Sequence, residues 1–261
     1  MAHAHGRFCW YDLVTTDVAA AKAFYTEVFG WKTAEWDESE QYTHLQAAGA
    51  PAPFGGMMTL PDTAKAMGAP PHWLAYVDVH DVAATAKRAE ALGGKVHQPP
   101  TDIPKTGQFA VIADPQGAAL GIFTGLEHPA HAEPEPATLV IGWNELNTTD
   151  WQAARAFYAE LFGWEDAGSH DMGPEMGVYA MFGMRGAAYG GMSDCATAMH
   201  LPPHWLPYAQ VPDLDGALGR ITAKGGQILN GPMEVPGGTR IAQCMDPQGV
   251  AFALMTAPAG A

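Results

Sequence analysis

Two carboxylates in this chain stand two residues after a tryptophan, as Trp10–Asp12 and Trp143–Glu145, and two histidines, His72 and His204, each follow a Pro-Pro step. In an extended segment alternate side chains share a face, so Asp12 lies on the side of Trp10 and Glu145 on the side of Trp143. A carboxylate that meets an imidazole, within one set or between the two, can act as general base and acid, or can hold one ion weakly with water. The same residues have an architectural use: the carboxylate accepts backbone or indole hydrogen bonds at a strand end, and the histidine caps the loop after the prolines. Arg240, where the matching position holds Gln108, offers a cation to an anionic ligand group. His3, His5, His128 and His131 fall in segments whose composition reads as solvated. His200 and His204 have HxxxH spacing, but Pro202-Pro203 between them precludes the helical face that motif needs. GxSxG, GxGxxG and GxxxxGK[ST] motifs are missing, so hydrolase-elbow, dinucleotide and P-loop chemistry have no motif support.

The elements that must position these residues come twice. Trp10 to Trp31 reads WYDLVTTDVAAAKAFYTEVFGW and Trp143 to Trp164 reads WNELNTTDWQAARAFYAELFGW, identical at 14 of 22 positions. PPHWLAYVDV and DPQGAALGIF in the first copy return as PPHWLPYAQV and DPQGVAFALM in the second. The chain is thus a tandem duplication, with a first domain over 1–125, a Pro-, Glu- and Ala-rich linker over 126–139 and a second domain over 140–261. Within a copy, alternation predicts a strand over 8–14, and Asp17 caps a helix over 18–29 that Gly30 stops. Short strands follow near 32–36, 42–46 and 54–60. The pattern then restarts with a strand over 72–79, a helix over 81–92 and strands near 95–97, 109–113 and 118–124. Asp114-Pro115-Gln116-Gly117 suits a type I turn, so a hairpin closes each copy. Gly55-Gly56 and Gly190-Gly191 mark bulges or close backbone approach. Each copy therefore holds two βαβββ modules, giving an α+β chain of four.

Composition bounds the partners. With 13 Lys+Arg against 28 Asp+Glu the formal charge is −15, which disfavours phosphate backbones and anionic lipid surfaces. No apolar run is long enough to span a membrane and the first residues lack the pattern of an export signal, so a cytoplasmic location is expected. Cys9, Cys195 and Cys244 form no close pair and read as reduced packing residues. The methionines of the second copy read as core filling.

The TTD-x5-FY-x3-FGW segment, the PPHW strand start and the DPQG hairpin, each present twice, resemble the vicinal oxygen chelate superfamily, which includes glyoxalases, bleomycin resistance proteins and extradiol dioxygenases. The chain is most similar to a two-domain glyoxalase-like, hydroxylase-type subgroup. The resemblance implies modules that curl their sheets into half-open barrels, with the face of Trp10, Asp12, Trp143 and Glu145 turned inward. It also implies a divalent metal held by His, Glu or Gln, at positions that fall here on Trp10, His72, Gly121 and the 54–58 strand, and on Trp143, His204, Ala253 and the 189–193 strand. Only His72 and His204 of these are metal ligands by type, so no cofactor is expected, and any ion would have to use those two. Large tryptophans opposite Gly and Ala suggest a metal-free apolar cleft. The expectation is a small-molecule ligand contacted by Trp10, Trp143, Tyr76, Tyr208 and Arg240, with Trp73 and Trp205 as further stacking candidates. Asp12, His72, Glu145 and His204 are the candidate catalytic groups. Two functions stay open: a lyase, isomerase or oxygenase of unknown substrate, or a resistance-type protein that sequesters its ligand. Four modules can pair within one chain, so a monomer is expected, with a homodimer as the alternative.

Overall fold

The repeat units fold alike. In the first copy β1 (Phe8–Thr15) leads to α1 (Val18–Phe29), β2 (Lys32–Trp36), β3 (Ser39–Gln46) and β4 (Gly55–Thr59). A short α2 (Asp62–Ala66) then precedes β5 (His72–Asp78), α3 (Val82–Ala91), β6 (Lys95–Ile103), β7 (Gly107–Ala113) and β8 (Ala119–Gly125). The second copy repeats the order with β9 (Ile141–Asn147), α4 (Trp151–Phe162), β10 (Glu165–Asp171), β11 (Val178–Met184), β12 (Ala187–Ser193) and α5 (Cys195–Met199). It ends with β13 (His204–Gln210), α6 (Leu214–Ala223), β14 (Gln227–Glu234), β15 (Arg240–Met245) and β16 (Ala251–Met255). This computed structural model describes residues 5–36, 38–126, 140–174 and 176–257. The linker expected over 126–139 lies, past Leu126, outside the described residues, as do His3, His128 and His131.

The strands form two eight-stranded sheets of matching order, β2-β3-β4-β1-β5-β8-β7-β6 and β10-β11-β12-β9-β13-β16-β15-β14. The helix after Asp17 begins at the cap that the sequence predicts, and the other three main helices start in the same way, with Asp81 standing before its helix and not in it. Asp17, Asp81, Asp150 and Asp213 each accept a backbone N–H three residues on, at 2.9–3.0 Å, satisfying a donor the helix cannot. Gly30 and Gly163 end α1 and α4 in the left-handed conformation. The fold adds α2 and α5, which periodicity does not suggest. It also extends β6 through Pro99-Pro100, which the sheet tolerates because β6 is an edge strand whose register slips there. Among the described residues, no helix is long and apolar enough to cross a membrane.

By contacts the chain divides into two compact units, and each draws on both copies of the repeat. One combines the chain up to Cys9 and from Ala75 through β8 with Trp143–Leu206; the other combines Trp10–Leu74 with Pro207 through β16. The repeated motifs do the joining. In the second unit Gln248, from the DPQG of one copy, accepts hydrogen bonds from the Thr15 and Thr16 hydroxyls and the Asp17 N–H of the other, at 2.6, 2.9 and 2.7 Å. Its amide donates back to the Asp17 carbonyl at 2.9 Å. Beneath it the Tyr25 hydroxyl donates to Asp246 and accepts from the Trp73 indole. The first unit repeats this network with Gln116 on Thr148, Thr149 and Asp150, and with Tyr158 between Asp114 and Trp205. Burial holds the Asp114 and Asp246 carboxyls above the ordinary carboxylate range, against the pull of their backbone N–H donors. Within each unit the helices add Arg88–Glu160 at 2.7 Å, and Arg220 to the Val28 carbonyl at 2.9 Å.

Candidate functional site

The central feature of β1 is a carboxylate gripped by its neighbours. Trp10 and Asp12 share a face, and the Trp10 indole N–H donates to Asp12 Oδ1 at 2.9 Å and to the Tyr42 hydroxyl at 2.7 Å. Tyr42, on β3, donates its own proton to the same Oδ1 at 2.5 Å. Burial, and after it the adjacent Asp12 charge, raises the Tyr42 phenol well above its ordinary pKa, so the hydroxyl stays a donor. The side chain crosses β4 to get there. Asp12 pairs with Gly56 in the parallel β1–β4 ladder, and a Cβ on Gly56 would lie 2.1 Å from the Tyr42 hydroxyl. The Gly-Gly step thus marks close approach, with Gly55 likewise pressed against the Tyr11 carbonyl.

Aromatic rings surround that carboxylate. His44 lies on the Tyr42 face of β3, with ring centroids 5.6 Å from Tyr42, 5.8 Å from Trp10 and 5.9 Å from Trp36. Trp36 meets Tyr42 edge to face at 5.7 Å. All four rings are half-buried, whereas Asp12 beneath them is 5% exposed. Burial lowers the pKa of His44, which favours the neutral imidazole.

The second copy builds a related but more polar site. Trp143 donates to the Tyr179 hydroxyl at 2.7 Å, and Tyr179 donates to Glu145 Oε2 at 3.2 Å. Asn147 Nδ2 donates to Glu145 Oε1 at 3.1 Å. Gly191 makes room for the Tyr179 ring as Gly56 does for Tyr42. Ser193 donates to Cys195 Sγ at 3.0 Å, and burial raises the Cys195 thiol. Burial also pushes the Tyr179 phenol up.

The remaining candidates take definite places. His72 and His204 open β5 and β13 with Nδ1 on the Pro70 and Pro202 carbonyls, at 2.7 and 2.9 Å. An Nδ1–H donated to a carbonyl leaves the lone pair on Nε2. Burial lowers the His72 pKa, although the Pro70 contact opposes it. The described hydrogen bonds thus bring Asp12 together with Trp10 and Tyr42, and His72 with Pro70. Tyr76 and Tyr208 are buried; the Tyr76 ring lies over Gly121, and Gln243 donates to the Tyr208 hydroxyl at 2.9 Å. Arg240 forms a two-point ion pair with Asp215, both contacts at 2.9 Å. Trp73 and Trp205 are core residues, because the alternation that points His72 and His204 one way sends the next residue to the opposite face, toward Tyr25 and Tyr158. Sequence reasoning missed Tyr42 and Tyr179. The available signal was a tyrosine recurring before the Gly-Gly step of both copies.

The chain belongs to the Glyoxalase/Bleomycin resistance protein/Dioxygenase superfamily, whose sequence pattern matches residues 7–122 and 140–254. It is 33% identical over 261 residues to the protein named "Putative glyoxylase CFP32" of Mycobacterium tuberculosis (strain CDC 1551 / Oshkosh), covering 94% of this chain and 93% of that one. It is 30% identical over 276 residues to the anthracycline biosynthesis protein DauV of Streptomyces sp. (strain C5), covering 97% and 94%. Among solved structures, the Mn(II)-bound glyoxalase from Novosphingobium aromaticivorans aligns with a TM-score of 0.62 at 18% identity, covering 97% of this chain and 82% of that one. At this identity the likeness speaks for the fold alone.

A metal of the family kind can be tested against the donors present. Trp10 and Trp143 give their indole N–H to oxygen, Gly121 carries the Tyr76 ring, and Gly56 and Gly191 lie under tyrosines. Indole and glycine offer no lone pair to a cation, which leaves one histidine per copy of the usual four ligands. Among the described residues, no three His, Cys, Asp or Glu side chains group to hold an ion. This donor set does not fit the family metal.

Proposed function

We propose that this protein binds a small organic molecule on the aromatic surface around Asp12, with binding as the primary role of that site. The observation that carries the reading is the set of four half-buried rings, Trp10, Trp36, Tyr42 and His44, packed around one carboxylate. Aromatic faces give a planar ligand large contact area at low entropic cost. Two donors, the Trp10 indole and the Tyr42 hydroxyl, converge on one Asp12 oxygen and hold that side chain in place. The acidity of the chain argues against nucleic acid as the partner. Relatives named for glyoxylase and for anthracycline biosynthesis both accord with a small organic ligand and do not choose a reaction.

A second reading, turnover of the ligand, is favoured by the fixed orientation of His72 and His204, whose Nε2 is the atom for proton transfer. Affinity selection of a metabolite library, read by mass spectrometry on the wild type and on Trp10→Ala, tests binding; a ligand kept equally by both proteins contradicts it. Turnover predicts that His72→Ala or His204→Ala keeps the ligand and loses its conversion. Full conversion by both variants removes that reading.

A further inference from the structure

We infer that the aromatic surface of the first copy selects an organic cation, a protonated amine or quaternary ammonium group carried on a planar or apolar body. The inference rests on the proposed binding role of that surface and names the chemistry of its ligand. Trp10, Trp36 and Tyr42 are the ring types whose negative faces attract a cation most strongly. They stand at steep angles to their neighbours: 79° for Trp10 against His44, 69° for Trp36 against Tyr42, and 85° for Tyr42 against His44. The rings thus pack edge to face on one another, and because each is half-buried the cluster keeps aromatic surface of several orientations open to a ligand. The buried Asp12 adds a negative charge directly beneath.

The surroundings favour the same sign. His44, the one ring able to carry positive charge, is biased toward its neutral form by burial. Glu35, next to Trp36, and Glu38, two residues after it, are exposed.

The second copy serves as an internal contrast. Its Trp143 and Tyr179 are kept, but Met181 takes the place of His44 opposite the strand glycine, and β10, with the sequence EDAGSHD, supplies no Trp, Tyr or Phe where β2 supplies Trp36. Asn147 meanwhile engages the Glu145 carboxylate. Among the described residues, the four-ring cluster over a carboxylate belongs to the first copy.

Three probes of one shape and different charge test this on the full chain by titration calorimetry at neutral pH: naphthalen-1-ylmethylammonium, naphthalen-1-ylmethanol and 1-naphthoate. The expected result is binding of the ammonium about fivefold or more tighter than the alcohol, with naphthoate weakest. Trp36→Leu, on the half-buried rim and not in the core, should bring the ammonium-to-alcohol ratio toward about one, and Asp12→Asn should do the same in any preparation that keeps the wild-type circular dichroism. Equal or tighter binding of the alcohol overturns the cation inference and leaves the binding role standing. Failure of all three probes at millimolar concentration overturns both.

Discussion

At the scale of single residues, the account turns on how a carboxylate is held. Tyr42 donates to Asp12 alongside Trp10, so Tyr42→Phe should cost about 1.5–3 kcal/mol in urea unfolding, the range for a hydrogen bond to a charged group. In a double-mutant cycle that cost should largely vanish against an Asp12→Ala background, which removes the acceptor; additive losses would show that the two groups do not interact. The histidines set a pH dependence of defined sign. Burial holds His44 and His72 below the ordinary 6.5, while in the unfolded chain they take up protons near that value. Their contribution to stability is therefore present above pH 6.5 and is lost as pH falls below it. The urea midpoint should drop between pH 7.5 and about 5.5, and His72→Gln should flatten part of that drop. Alternation along one strand is enough to place Trp10 beside Asp12 and Trp143 beside Glu145 from sequence. Their tyrosine partners lie two strands away, and only the register, with a glycine under each ring, brings them in.

At the scale of elements, helix caps, the DPQG turn and the succession of strands and helix along each module are legible because they depend on local chemistry. What local reasoning could not reach is the second use of DPQG. Its glutamine clamps the TTD step of the other copy, 233 residues distant for Thr15 and Gln248. Removing that side chain in Gln248→Ala leaves the fully buried Thr15 hydroxyl and the Asp17 N–H without their acceptor. A loss of about 2–4 kcal/mol is expected. Gln248→Glu keeps the acceptor but sets an oxygen against the Asp17 carbonyl, so it should recover only part of that loss; a Gln248→Ala loss below about 0.5 kcal/mol would mean that the clamp is not what the glutamine provides. The family's metal-ligand positions are a related case: whether a strand position offers a lone pair or a ring floor is bound up with the neighbour that covers it, as Tyr76 covers Gly121.

At the scale of the whole molecule, duplication is plain in the sequence, whereas the partition into compact units is not, because each unit takes strands and helices from both copies. A chain cut at a protease site inserted within 127–139 should therefore run as one species on native size exclusion, its fragments parting only in denaturant. Fragments that separate under native conditions would contradict the paired units. The divergence of the copies matters most for function: the first has four rings over its carboxylate, and the second has a more polar set. The most direct test is an indole N–H spectrum recorded by 15N NMR during titration with naphthalen-1-ylmethylammonium, with Trp10, Trp36 and Trp143 assigned by substitution. The account predicts that the Trp10 and Trp36 signals shift together and saturably while Trp143 stays in place. Saturable shifts at Trp143 that leave Trp10 and Trp36 unmoved would contradict it.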